Sequence, residues 1–334
     1  MSRALGAGWL GVVAALAVAT GARAQDVDPA CLRASPPYWQ ALVPGVWVRP
    51  GVAQDIDPDN GGQVTSQVLI GQGTAAILVD PGPSRAHGLA ARRAARCELG
   101  LAINRVLDSH AHAENVLGNA AFDGDPVLLE ALPDTRAAMA ARCPKCLAAM
   151  LQALGAEPMA GTRIVLPQPT LQAGQDWDSD AGGWRVLEFR WAHTESDLAL
   201  WNERHRLLVA PGLVYHGRLP ELAQGSVVGW IAALAALRPL RPAWVVGNLP
   251  LATTGPQASD GIEDTYRYLC TLSRAVVRAL DTGRSVTEVQ QIGLPAFAGW
   301  AGYAQRNGFN VQRAWRELEP LWIRDAVPAC ELPE

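Results

Sequence analysis

Two histidines separated by a single residue are the part of this sequence best suited to chemistry. An apolar stretch that we predict to be a buried strand ends at Asp108, and His110 and His112 follow it directly. At this spacing both imidazole rings can point into one cleft at the end of the strand. Neutral imidazole is a good zinc ligand, and two histidines with a distant third ligand would leave one coordination position open. The alternative is a pair of solvent-facing loop histidines.

Alternating strands and helices would position this pair. His193 also follows a predicted strand, over residues 184–191, so two strand ends carry histidines. The pattern predicts further strands over residues 46–49, 67–70, 74–80, 103–107, 164–167, 197–201, 206–210 and 244–248. It predicts helices over residues 85–97, 133–154, 225–237, 260–279 and 311–322. This order predicts an α/β fold in which helices cover mixed β-sheets, with one plan shared by both halves.

Composition limits the size of the core and the kind of partner. With 334 residues, of which 49% are hydrophobic and 18% charged, the chain can form one large domain or two small ones. The formal net charge is −4, and the basic residues are scattered, which argues against a nucleic-acid partner. Lys145 is the only lysine.

The first residues have the pattern of an export signal. A basic start is followed by an apolar run over residues 9–19 and by small residues at 22–24, where a signal peptidase would cleave. The apolar run is shorter than the about 20 residues of a membrane anchor. We therefore predict a signal peptide over residues 1–24 and a single domain over residues 25–334, with a helical C-terminal extension from about residue 260. The protein would be periplasmic or secreted, without a membrane segment after cleavage.

All six cysteines follow this signal, and an oxidising compartment would favour disulfides between them. Cys143-Pro-Lys-Cys146 has the spacing of a redox or metal-binding motif, but no second Cys or His pair follows it, as a zinc site of this type requires. We predict a local structural disulfide between these two cysteines, with redox activity as the alternative.

Five blocks resemble, in order, the motifs of the metallo-β-lactamase-fold hydrolases. Residues 78–82 are similar to the family's Asp-x-Gly strand end, and residues 110–115 to its His-x-His-x-Asp-His motif. Residues 193–197 are similar to its second histidine block. Residues 210–215 are similar to the block with a bridging Asp, and residues 246–250 to the Pro-Gly-His-Gly block. The resemblance implies an αββα sandwich of two mixed sheets with helices outside. It is closest to the quinoprotein relay system zinc metallohydrolases, exported members that accompany periplasmic quinoprotein dehydrogenases and share a Cys-Pro-x-Cys-Leu helix.

The resemblance implies one zinc ion rather than two. The residues that match the family's first zinc site are His110, His112 and His193. At the positions of the second site the chain has weaker ligands or none, namely Glu114, Asn115, Gly212 or its neighbour, and Asn248. Glycine offers no side-chain ligand, and amide oxygens are weak zinc ligands beside imidazole or carboxylate.

The same residues suggest a hydrolytic mechanism. A zinc ion on three histidines with an open position lowers the pKa of bound water to about 7. Glu114 would either take the proton of this water or orient a histidine ring. Asn115 or Asn248 would donate a hydrogen bond to the developing oxyanion. The resemblance gives Asp80 a loop-holding role, and we predict His216 to be a rim histidine because its spacing matches no ligand of the family.

Two functions compete on this basis. The first is an exported hydrolase with one zinc ion, acting on the ester or lactone carbonyl of a small-molecule substrate and serving a periplasmic quinoprotein dehydrogenase system. The second is a catalytically impaired pseudoenzyme that keeps the fold and acts as an accessory or binding protein for a partner. The weak second metal site motivates the second function. Hydrolysis of β-lactams is not predicted, since resemblance at the level of fold does not carry a substrate.

Overall fold

A computed structural model describes residue 31, residues 37–255 and residues 258–331 of the chain. The signal peptide predicted over residues 1–24 lies outside these residues and stays a prediction. The described strands form two six-stranded sheets.

The first sheet contains the six N-terminal strands in chain order. They are β1 (Gln40–Val43), β2 (Val46–Arg49), β3 (Gln67–Gln72), β4 (Ala75–Val79), β5 (Ala102–Asp108) and β6 (Leu128–Ala131). β1 to β4 pair antiparallel, whereas β5 pairs parallel to both β4 and β6. Parallel pairing places the C-terminal ends of β4 and β5 at the same edge of the sheet, so the residues that follow these strands can meet there.

The second sheet contains the remaining six strands. They are β7 (Asp176–Ser179), β8 (Gly182–Arg190), β9 (Ser196–Asn202), β10 (Leu207–Val209), β11 (Trp244–Val246) and β12 (Pro250–Ala252). They also lie in chain order, and the one parallel pair among them joins β10 to β11. Both sheets are therefore mixed, and each contains hairpins and a parallel crossover, as the shared plan of the two halves predicts.

Helices cover the outer faces of both sheets. They are α1 (Arg85–Leu99), the single turn α2 (Ala113–Val116), α3 (Pro133–Leu154), α4 (Val227–Leu237), α5 (Gly261–Asp281) and α6 (Tyr303–Trp322). Apolar residues of α1 pack on the outer face of the first sheet, and α4, α5 and α6 share one core with the second sheet. The C-terminal helices predicted from about residue 260 thus form part of this outer layer.

The two sheets pack face to face through an apolar layer. Along β3, Val68 and Ile70 face the second sheet, whereas Leu69 between them faces α1. A strand that is covered on both faces has no polar side, which explains its uninterrupted apolar sequence. The predicted αββα sandwich is confirmed.

The sequence patterns identify interior strands better than edge strands. Each sheet ends in two short strands that were not predicted, β1 and β6 in the first and β12 and β7 in the second. An edge strand bonds on one side only and tolerates polar residues, as in Asp-Trp-Asp-Ser of β7. The strand predicted over residues 164–167 is wrong. Ile164 and Leu166 pack as loop residues against an apolar cluster that includes part of α3.

Helix α3 has the predicted ends. Pro133 occupies its first turn and Gly155 follows its last residue. Within the described residues, no helix is long and apolar enough to cross a membrane.

Candidate metal centre

Three buried histidines meet at one end of the two sheets. His110 and His112 lie in the loop after β5, and His193 lies in the turn between β8 and β9. One ligand nitrogen from each imidazole lies within 4.8 Å of those of the other two. The structure therefore brings together the three histidines singled out in the sequence. No other group of three or more His, Cys, Asp or Glu side chains in the described part of the chain converges in this way.

The ring nitrogens are arranged as a metal site requires. His112 Nδ1 and His193 Nε2 lie 3.2 Å apart, and the Tyr215 hydroxyl is 3.2 Å from the same His193 nitrogen. Zn–N bonds of about 2.0–2.1 Å in tetrahedral geometry separate ligand nitrogens by about 3.3 Å. His110 Nε2 is buried and has no hydrogen-bond partner, which is costly unless a ligand binds it. His193 Nδ1 is also buried without a partner, but it is His193 Nε2 that faces His112. Three converging imidazoles, with His110 Nε2 unsatisfied, fit a zinc ion.

Burial sets the protonation of the histidines. It lowers the pKa of His110 and of His193 well below the usual histidine value, and the neighbouring His112 adds to this effect. Both rings are therefore neutral, which is the form that binds a metal. Burial acts in the same direction on His112, but the neighbouring Glu114 carboxylate outweighs it and raises the pKa of His112 to about 9. Glu114 Oε1 lies 3.7 Å from His112 Nδ1.

A chain of hydrogen bonds through Ser109 and Asp80 orients the His110 ring at its Nδ1 side. Its Nδ1 lies 2.8 Å from Ser109 Oγ, and that hydroxyl donates to Asp80 Oδ2 at 2.7 Å. The Asp80 carboxylate also accepts from the Ser109 backbone N–H and from Asn115 Nδ2. Because Ser109 donates its proton to Asp80, it accepts from His110 Nδ1–H, which leaves His110 Nε2 free to bind a metal. Asp80 thus holds the loop, as expected.

Comparison with known proteins identifies the family. The profile of the metallo-beta-lactamase superfamily matches residues 60–247, which is more than half of the chain. The chain belongs to this superfamily. A search of curated proteins found no match to the sequence.

Solved metallo-β-lactamases have a similar fold. A metallo-β-lactamase from Hirschia baltica is 16% identical, with a TM-score of 0.53 over 69% of this chain and 96% of that one. The metallo-β-lactamase FIM-1 from Pseudomonas aeruginosa, solved in its mono-zinc form, is also 16% identical, with a TM-score of 0.53 over 69% and 93%. A metallo-β-lactamase from Pontibacter korlensis is 13% identical, with a TM-score of 0.52 over 69% and 97%. At these identities the similarity concerns the fold alone.

Asn115 and Asn248 form hydrogen bonds to other residues of the protein near the histidines. Asn115 Nδ2 donates to Asp80, as described above. Asn248 Oδ1 accepts the backbone N–H of His216 at 2.9 Å, and Asn248 Nδ2 donates to the backbone carbonyl of His216 at 3.1 Å. Each amide NH₂ retains a second N–H. The donation to a substrate oxygen predicted for these asparagines would have to use it, and this role stays a prediction.

Gly212 lies directly against the His110 ring. A Cβ atom at this position would lie 2.9 Å from His110 Nδ1 and 3.0 Å from His110 Cγ. Contacts this short do not occur without a shift of the ring or of the backbone. The space that an aspartate side chain would need is therefore filled by the imidazole itself.

A groove of about 400 Å³ opens beside the histidines and could admit a substrate. His112 and Glu114 line it. Larger side chains come from the loop before β3 (Ile56), from α3 (Arg142, Lys145, Cys146 and Met150) and from the segment before α4 (Glu221 and Gln224). Gln224 Oε1 lies 3.0 Å from His112 Nε2 and fixes that ring. A larger cavity of about 460 Å³ at β7 and β8 contains none of the histidines.

The predicted Cys143–Cys146 disulfide is wrong, because both residues are free thiols. The disulfides join Cys31 to Cys97 and Cys270 to Cys330, and so tie the N-terminal segment to α1 and the C-terminal segment to α5. Cys143 is fully buried in α3, whereas Cys146 lines the groove. The helix holds the two thiols on one face at the i, i+3 spacing.

We expect alkylation of the native protein to label two of its six cysteines, Cys146 faster than Cys143. Only Cys146 reaches the groove, and the neighbouring Cys143 thiol lowers the pKa of Cys146 below the usual cysteine value, which favours the reactive thiolate. Mass spectrometry of timed, unreduced samples would give both rates. The variant Cys146→Ser should leave a single slow thiol. Equal rates for the two cysteines would contradict the prediction.

His216 lies outside the histidine cluster, as predicted for a rim residue. Its side chain is 37% exposed, and its Nδ1 bonds Asp264 Oδ2 at 2.6 Å. This hydrogen bond raises the pKa of His216. A histidine whose pKa is raised by folding stabilises the protein below its unfolded pKa of about 6.5, and this contribution is lost as pH rises through the folded pKa.

His216→Ala should therefore reduce the free energy of unfolding more at about pH 5.5 than at about pH 8.5. The exposed position limits the difference to less than about 1 kcal/mol. Urea unfolding of both proteins at both pH values would measure it. The same loss of stability at the two pH values would show that the ion pair with Asp264 contributes nothing.

Proposed function

We propose that His110, His112 and His193 bind one zinc ion and that the protein hydrolyses the ester or lactone bond of a small molecule. The observation that carries this proposal is the convergence of three buried imidazoles, in which His110 Nε2 is buried and has no hydrogen-bond partner. Imidazole nitrogens suit zinc, and three of them leave a fourth position open. When bound there, zinc acidifies a water molecule and polarises a carbonyl group.

Residues of the chain would assist this chemistry from two sides. Gln224 holds the His112 ring in place through Nε2, which leaves Nδ1 directed at the other histidines. The carboxylate of Glu114 is close enough to the centre to accept the proton of an attacking water molecule, or to orient His112. Apolar side chains of the groove, including Ile56 and Met150, would exclude bulk water from a bound substrate.

We propose a single ion rather than two. Among the four positions matched to a second metal site, Gly212 has no side chain and Asn248 Oδ1 already accepts the backbone N–H of His216. Asn115 could offer only an amide oxygen, which is a weak zinc ligand. The remaining carboxylate, Glu114, lies beside His112 and belongs to no further converging group of three or more His, Cys, Asp or Glu side chains in the described chain.

We also propose that the protein is exported and serves a periplasmic quinoprotein dehydrogenase system. The basic and apolar pattern of residues 1–24 supports export. Two disulfides between distant parts of the chain suit an oxidising compartment. Fractionation of the native cells would test the location, and co-purification with a quinoprotein dehydrogenase would test the partner.

The metal content of the purified protein tests the central proposal. Plasma emission spectrometry should find about one zinc per chain. An activity assay should find that turnover of a generic ester, such as a nitrophenyl acetate, depends on zinc. Absence of bound metal after zinc has been supplied would refute the zinc hydrolase.

An accessory protein without catalysis is the second candidate. The weak second metal site favours it, because Gly212 offers no side-chain ligand and Asn248 Oδ1 already accepts the backbone N–H of His216. A protein that binds one zinc, turns over no ester or lactone, and still binds a dehydrogenase after His112→Ala would establish this function.

A further inference from the structure

Two free thiols have no part in the proposed hydrolysis, and they differ in their access to the groove. Cys143 is fully buried in α3, whereas Cys146, three residues later, is half-buried and lines the groove beside His112. A cysteine that only fills space in a core behaves as a small apolar residue and has no need to reach a cleft. A molecule in the groove can therefore contact Cys146, while Cys143 is shielded from it.

Positive charge lies beside the accessible thiol. Arg142 and Lys145 line the groove together with Cys146 and belong to the same helix. The Arg142 guanidinium pairs through Nη1 with Glu195, and its Nη2 is buried without a hydrogen-bond partner. Cationic groups near a cysteine favour its thiolate, which is the form that attacks a disulfide. Cys146 therefore has both the access and the surroundings of a nucleophile.

The helix places the two cysteines close enough to form a bridge. Cα atoms three residues apart in an α-helix are separated by about 5 Å, inside the range of about 4.4–6.8 Å that disulfides span. Their Cβ atoms are about 5–6 Å apart, compared with about 3.5–4.5 Å in a relaxed bridge, so this turn must shift when the bridge closes. Pro144 lies between the cysteines and has no N–H, which removes one helical hydrogen bond where the shift occurs. A bridge formed against the helix geometry is also easily reduced.

We propose that Cys146 and Cys143 form a site for thiol–disulfide exchange with a small-molecule disulfide. The groove volume of about 400 Å³ suits a small molecule. Cys146 attacks because it alone lines the groove, and Cys143 completes the reaction because it alone adjoins Cys146 along the helix. No step uses the proposed zinc ion, so this activity does not depend on ester hydrolysis.

The exchange proceeds in two balanced steps. The Cys146 thiolate attacks one sulfur of the small disulfide, forms a mixed disulfide with that half, and releases the other half, which takes up the proton that Cys146 has lost. The Cys143 thiol then attacks Cys146 Sγ, the second half leaves as a thiol with the Cys143 proton, and the bridge closes. The two cysteines lose two electrons in total, and the small disulfide gains them as it becomes two thiols.

Intact-mass spectrometry after addition of cystine would follow both steps. The wild type should first gain the mass of one half-cystine and then lose it, ending lighter than the starting protein by the two thiol hydrogens. The first step should be proportional to the cystine concentration, and the second should be independent of it because it is intramolecular. Dithiothreitol should restore the starting mass.

Two matched variants separate the roles of the thiols. Cys143→Ser should keep the half-cystine on Cys146, because it lacks the thiol that closes the bridge. Cys146→Ser should form neither the adduct nor the bridge, and it also measures any exchange with the disulfides Cys31–Cys97 and Cys270–Cys330. Cys143→Ala repeats the test if the buried serine hydroxyl prevents folding.

Three outcomes would overturn the exchange site. They are an adduct that persists on the wild type, a Cys143→Ser protein that forms no adduct, and a Cys146→Ser protein that reacts as fast as the wild type. Peptide mapping must also place the new bridge between Cys143 and Cys146. A protein that exchanges with cystine in this way but hydrolyses no ester would refute the hydrolase and leave the exchange site in place.

Discussion

His193→Ala should remove the zinc from the protein and reduce ester hydrolysis by more than about 100-fold. Loss of a group that only hydrogen-bonds to a zinc ligand typically reduces metal affinity or activity about 10-fold to 100-fold, and loss of a ligand itself should cost more. The His193 ring has two neighbours at its Nε2, namely His112 Nδ1 and the Tyr215 hydroxyl. A phenol does not replace an imidazole as a zinc ligand, so two histidines remain. Plasma emission spectrometry and initial rates on the same samples would measure both effects.

His216→Ala is the matched control for this experiment. It removes a histidine one residue beyond Tyr215 in the sequence but outside the cluster. It should keep about one zinc per chain and most of the activity. If His193→Ala kept its zinc, or if His216→Ala lost it to the same extent, the assignment of the metal site would be wrong.

Gly212→Asp should decrease zinc binding instead of creating a second site. Aspartate is the residue that the superfamily resemblance would place at Gly212 or at its neighbour, so the substitution nominally restores a ligand. In this chain, however, a Cβ at Gly212 would lie 2.9 Å from His110 Nδ1, and the ring would have to leave its contact with Ser109. We expect the affinity for zinc to fall about 10-fold to 100-fold, as for loss of the groups that orient a ligand.

Gly299→Asp provides the control, since a Cβ at Gly299 would contact nothing within 4 Å and its backbone is not left-handed. Competition with a chelator would give the zinc affinities of both variants and of the wild type. Two zinc ions per chain in Gly212→Asp, at unchanged affinity for the first, would contradict this prediction. Such a result would show that His110 can move to accommodate a second metal.

The sequence determined the interior of the fold and identified the three histidines that converge. Apolar runs such as that of β3 predict strands covered on both faces, and Pro133 and Gly155 mark the ends of α3. His110, His112 and His193 each lie a few residues beyond a predicted strand, so their placement at one edge follows from local patterns and sheet topology. These features depend on neighbours in the sequence, which is why residue order alone predicts them.

Only the tertiary structure decided the surroundings of these three histidines. Gln224 bonds His112 across 112 residues of sequence, and Tyr215 reaches His193 across 22. The contact of Gly212 with the His110 ring and the free thiols of α3 have no local signature either. The edge strands were missed for the same reason, because their pairing partners and not their own composition hold them in place. Contacts between residues that are distant in the chain arise from the packing of the two sheets, and a pattern read along one segment does not contain them.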